Sequence, residues 1–85
     1  MKQNDKEEKQ QMFVKVQYYK GDGWYGGGHY TYETALPLVE GDKVIAPTVN
    51  EPRQRAVVKA VNVVPPSFPC REIAEYDPEA EVESV

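Results

Sequence analysis

The stretch Gly41-Asp42-Lys43-Val44-Ile45-Ala46-Pro47, entered from Leu36-Pro37-Leu38-Val39-Glu40, decides the fold. An apolar run ends in an acidic Glu-Gly-Asp turn, and an apolar strand follows at once. Gly41 can take a positive φ and Asp42 can hydrogen-bond back to its own backbone, so the chain reverses tightly here. Pro47 closes the strand, because proline has no N–H to give to a ladder. Small barrels use such a turn to redirect the chain between two strands.

On the N-terminal side, His29–Thr34 alternates, with Tyr30 and Tyr32 on one face and His29, Thr31 and Glu33 on the other. Met12–Tyr19 does the same, with Met12, Val14, Val16 and Tyr18 sharing a face. Period two with β-branched and aromatic residues reads as half-buried strand. Between them, Lys20–Gly28 holds five glycines in nine residues. It reads as an irregular hairpin connection longer than two residues, with Trp24 and Tyr25 near its tip.

On the C-terminal side, Thr48–Gln54 is a polar turn and Arg55–Val64 a fourth strand that is apolar on both faces. A bulge near Lys59–Val61 reconciles the two faces, since small barrels bend their strands at corners. Pro65-Pro66-Ser67-Phe68-Pro69 is an extended crossing. Cys70–Tyr76 reads either as a helical turn or as a closing strand with Ile73 inward, and Asp77-Pro78 ends it. The expected fold is all-β, a small antiparallel barrel of four to five strands. Its expected core is Val14, Val16, Tyr30, Tyr32, Leu36, Leu38, Val44, Ala46, Ala56, Val58, Val61 and Ile73.

Eighty-five residues make one domain. The reading places it at 12–76, between a disordered polar stretch (1–11) and a disordered acidic tail (77–85). The net charge of −4 is uneven. Met12–Arg71 carries seven bases against five acids, whereas Glu72–Val85 carries six acids and no base. The acidity therefore belongs to the tail, and the body is mildly basic. One cysteine, Cys70, allows no internal disulfide, and a reducing, cytoplasmic location is expected. No apolar run reaches membrane-spanning length, and the polar N-terminus is no signal peptide.

Little in the inventory supports catalysis. One histidine, His29, and one cysteine, Cys70, could meet in space, but no third, orienting group stands at a recognisable spacing. They are too few for a zinc site, and no metal or cofactor is expected. Gly21–Gly28 lacks the Gly-Lys-Ser/Thr ending and following helix of a phosphate loop. Two uses remain for Trp24: a lid folded over the barrel's open end, or, with Tyr25 and Tyr19, an exposed contact for a partner. Arg53, Arg55 and Lys59 stand at even spacing and form a short basic stripe on a regular strand, which Lys15 and Lys20 could extend toward phosphates. The tail's acids either screen that body or only keep the protein in solution.

Tyr30-Thr31-Tyr32, then Leu38–Pro47, then Ala56-Val57-Val58-Lys59-Ala60-Val61 together resemble the N-terminal barrel of the primosomal replication-restart helicase. In that family a tyrosine-containing strand precedes a Gly-x-x-Val-x-Val-Pro segment and a Val-Val-containing strand. The resemblance covers roughly Tyr30–Val61 and implies a small SH3-like β-barrel that recognises the 3′ end of a DNA strand. The chain also resembles short uncharacterised proteins of Gram-positive bacteria and their prophages. The 85 residues hold no helicase motor, and Gly41–Pro47 matches as scaffold, so no binding residue is carried over. The functional expectation is a non-catalytic binding module that contacts a protein partner, or a second copy of itself through an open barrel edge. The alternative is a barrel for single-stranded or 3′-ended DNA.

Overall fold

The structure, a computed structural model, describes residues 11–83. The expectation for 1–11 therefore lies, Gln11 apart, outside the described residues. The elements are β1 (Met12–Gly21), β2 (Trp24–Thr34), β3 (Lys43–Ile45), β4 (Arg55–Ala60), β5 (Glu72–Ile73), β6 (Glu75–Tyr76) and a short helix α1 (Pro78–Glu83). The fold is all-β, as the alternation implied. One six-stranded sheet runs in the order β5-β2-β1-β4-β3-β6. Only Ala74 separates β5 from β6. The single segment Glu72–Tyr76 thus pairs with β2 on one side, in parallel, and with β3 on the other, antiparallel. It nearly closes the sheet into a barrel. Of the two readings of Cys70–Tyr76, the closing strand holds, and Ile73 is fully buried.

The deciding turn is built as its residues require. Asp42 N–H donates to the Val39 carbonyl (3.1 Å), Gly41 takes φ +98°, and the Asp42 carboxylate accepts the Val39 N–H (2.9 Å). A positive φ at the third position is the demand of a type II turn, and glycine meets it without strain. Gly41 N–H donates to the Val58 carbonyl and Val58 N–H to the Asp42 carbonyl, each at 2.8 Å, which fastens the turn to β4. The bulge near Lys59 is also present. Lys15 faces Ala60 while Val16 faces Val58, so Lys59 is the extra residue. β4 ends at Ala60 rather than Val64, because Asn62 turns left-handed at φ +53°.

The glycine-rich stretch departs from expectation. It is strand, not an irregular loop. Asp22 (φ +56°) and Gly23 (φ +82°) form the reversal alone, with the two positive φ values of a type I′ turn. Trp24–Gly28 already belongs to β2. The glycines accommodate a distortion of the ladder: Val16 faces Tyr30 but Tyr18 faces Gly26, so β2 carries two residues more than β1 across this step. Gly27, at φ +86°, lies within it, and the Gln17 side-chain amide donates to its carbonyl (3.1 Å).

The core comprises Val14, Val16, Tyr32, Leu38, Val44, Ala46, Ala56, Val58 and Ile73, with Met12, Tyr18, Leu36 and Val61 packed against it. Each fully buried valine or isoleucine contributes about 1.5–3 kcal/mol. Tyr30 belongs to no core: β5 pairs only with Glu33 and Thr34 of β2, so the strand has no outer neighbour at Tyr30, which is 44% exposed. The start of the acidic tail carries local structure. Asp77 is buried, and Pro78–Glu83 is helical. Asp77 caps that helix, its carboxylate accepting the Glu79 N–H (2.9 Å), and Pro78 occupies the first helical position, where its missing N–H costs nothing.

Candidate binding site on the β1–β2 hairpin

Residues paired across two strands project to the same side of the sheet. The register therefore sorts the hairpin's aromatic residues into two sides. Tyr18 pairs with Gly26, and the Trp24 indole lies where a Gly26 side chain would stand. Trp24 and Tyr18 consequently share the side that continues into the core. Tyr30 shares it too, its ring stacked on Tyr18 at 4.5 Å and 7°. Tyr19 pairs with Tyr25 on the opposite side, ring to ring at 5.0 Å. The three expected contact residues, Trp24, Tyr25 and Tyr19, do not form one patch.

The side holding Tyr19 and Tyr25 is occupied from within the chain. The Arg55 guanidinium lies 4.3 Å over the Tyr19 ring, and Lys43 Nζ lies 5.7 Å from the Tyr25 ring centre. Arg55 Nε donates to the Asp77 carboxylate (2.6 Å) and Nη1 reaches Glu79 (3.3 Å). The Asp77 side chain is 1% exposed and that of Arg55 16%. Next to them Arg53 pairs with Glu75 (3.0 Å). Two members of the expected basic stripe thus carry carboxylates. Lys59, Lys15 and Lys20 are exposed, with Lys59 displaced by its bulge. Sequence reading missed Asp77 as the partner of Arg55, although Asp-Pro-Glu carries the cap-then-proline signature of a helix start.

The other side is open. Trp24 is 58% and Phe68 60% exposed, so Trp24 covers Gly26 and is no lid over the core. An open cleft of about 300 Å³ lies between His29–Tyr32 of β2 and the crossing Phe68–Arg71, floored by Tyr18. Its polar floor is a hydroxyl chain. Tyr32 donates to the Pro47 carbonyl (2.9 Å) and accepts from the Tyr18 hydroxyl (2.8 Å). Burial, assisted by that bond, holds the Tyr32 phenol well above its ordinary pKa. Arg71 borders the cleft, and among the described residues it makes no ion pair.

His29 and Cys70 both line this cleft. Burial, and then the nearby Glu33 carboxylate, push the Cys70 thiol upward in pKa, away from the thiolate that nucleophilic chemistry needs. The Cys70 thiol's hydrogen bond goes to the Phe68 carbonyl (3.9 Å), not to His29. Among the described residues no group of three or more potential ligands could hold a metal, and no helix is long and apolar enough to cross a membrane. Compared with protein-family models, with curated proteins and with solved structures, the chain has no match.

Proposed function

We propose that this chain is a non-catalytic β-barrel binding module that docks a protein partner on the open aromatic side of its β1–β2 hairpin. The observation that carries this reading is Trp24, 58% exposed as the first residue after a two-residue turn and on the same side as the Tyr18–Tyr30 stack. Trp and Tyr dominate binding energy at protein interfaces, and a hairpin fixed by a type I′ turn presents them with little entropy to lose. The test is capture of a partner from host extract by the tagged chain, with and without nuclease. Trp24→Ala is expected to abolish nuclease-resistant capture while the melting temperature is retained. Capture unchanged by that substitution rejects the reading.

A second reading, a barrel for single-stranded or 3′-ended DNA, draws support from one arrangement and from the resemblance to the primosomal helicase's barrel. Stacked tyrosines beside Arg71, with Lys20 on the same hairpin, combine a ring platform with cationic charge. Phosphate contact through Arg53 and Arg55 would first have to displace Glu75, Asp77 and Glu79. Titration with an oligothymidylate at low salt tests this reading. It requires affinity that falls steeply with salt and rises in Glu75→Gln/Glu79→Gln.

A further inference from the structure

β2 is the longest strand, yet only Glu33 and Thr34 of it pair with β5. Below Glu33 its outer edge has no partner strand among the described residues. Glu33 donates its N–H outward, to the Arg71 carbonyl (3.0 Å). Backbone direction alternates along a strand, so Thr31, two residues earlier, turns its own N–H and C=O to the same edge. There the pairing with the chain leading into β5 stops, and a cleft opens between Thr31 and Phe68–Arg71. The aromatic cleft is the gap so formed: β2 on one wall, Phe68–Arg71 on the other, Tyr18 and Tyr30 below.

We infer that this gap is a strand-addition site for an extended peptide of the partner protein, with an aromatic side chain seated against Tyr30 and Phe68 and a carboxylate on Arg71. This rests on the protein-binding reading and names the partner's chemistry. Three features select that occupant. The unpaired edge of β2 offers main-chain donors and acceptors, which an extended peptide satisfies and a nucleobase does not. The rings bordering the gap take the peptide's inward side chain, because alternate residues of an added strand face one side. Arg71 supplies one cation, matched to one carboxylate, whereas a phosphate chain brings a charge at every nucleotide. The ladder distortion at Gly27–His29 limits pairing to a few residues around Thr31 and keeps the edge from templating longer association.

The experiment follows backbone amides of the full chain by NMR during titration with acetyl-Glu-Phe-Val-Phe-Glu-amide. The expected result is saturable shifts at Thr31, Tyr32 and Arg71, with slowed hydrogen exchange at Thr31. Arg71→Ala and Phe68→Ala, both exposed positions, are each expected to weaken binding about ten-fold. A peptide with proline for the central valine is expected to lose the protection of Thr31. The inference is overturned if the peptide moves none of these amides, if proline makes no difference, or if octathymidylate shifts them in a salt-dependent manner and the peptide does not. Failure here with Trp24-dependent partner capture intact removes the cleft and leaves the binding module standing; loss of both removes the module.

Discussion

The two sides of the β1–β2 hairpin carry the same kinds of residue and have opposite fates. On one, Tyr19, Tyr25 and Arg55 are roofed by the carboxylates of the C-terminal segment. On the other, Trp24, Tyr30, Phe68 and Arg71 face solvent around a cleft that the half-buried Tyr18 also lines. Aromatic and cationic residues therefore do not mark a docking surface by composition. What separates the sides is whether the chain itself supplies the counter-charge and the covering element. The side whose arginine has found a buried aspartate is structure. The side whose arginine has none is available to a partner.

The comparison breaks first, and most visibly, at Arg55 and Asp77. Removing Arg55 leaves the buried Asp77 carboxylate without compensation, so Arg55→Ala is expected to lose about 3–5 kcal/mol of stability by urea denaturation, and Asp77→Ala, which leaves Arg55 its pair with Glu79, somewhat less. Arg53→Ala, which loses only the exposed pair with Glu75, is expected to change little. If the three variants melt alike, the occupied side is not structural and the contrast fails.

Next in size is the hydroxyl chain under the open side. Tyr32→Phe deletes the donor to Pro47 and leaves that carbonyl and Tyr18 short of a partner, at an expected cost of about 1–2 kcal/mol. The same group sets an alkaline limit. The unfolded chain releases this proton near pH 10, and the folded chain holds it to higher pH. The contribution is thus complete below about pH 10 and is lost as pH rises further. Denaturant midpoints of wild type should fall more steeply above pH 10 than those of Tyr32→Phe.

Smaller still is Gly23→Ala, expected to cost about 1 kcal/mol because φ +82° strains any side chain there. It would sharpen the comparison by loosening the tip that displays Trp24. Least of all for stability is Trp24→Ala, expected within about 0.5 kcal/mol by thermal melt, since an exposed ring away from the core is removed. The same variant has the largest expected effect on partner capture. That inversion separates the open side from the occupied one.

Much of the barrel was legible in the sequence because its determinants are local. The alternation Val14, Val16, Tyr18, the reversal at Gly41-Asp42 and the extra residue at Lys59 each announce themselves within a few positions. The glycine-rich stretch misled because glycine content reads as loop, while Asp22-Gly23 was the two-residue hairpin signal and the glycines after it served the ladder distortion. Tyr30 and Tyr32 share a face, yet only Tyr32 is buried, since alternation records direction and not how far a neighbouring strand extends. The site was hardest to read. Arg55 meets Asp77 from 22 residues away, and the cleft lies between Phe68–Arg71 and a strand far earlier in the chain. No local pattern encodes either event.

The closing segment Glu72–Tyr76 has a consequence for biosynthesis. It is the last strand in chain order, and it supplies the missing neighbour of both β2 and β3. On the ribosome the first four strands emerge with two raw edges and with the hydrophobic place of Ile73 vacant. The barrel cannot become cooperative until that late segment arrives, because both remaining edges of the sheet are paired by it alone. A nascent chain stalled before residue 72 is therefore a natural client for chaperones, and a segment 72–76 from a neighbouring nascent chain could fill the same gap in exchange.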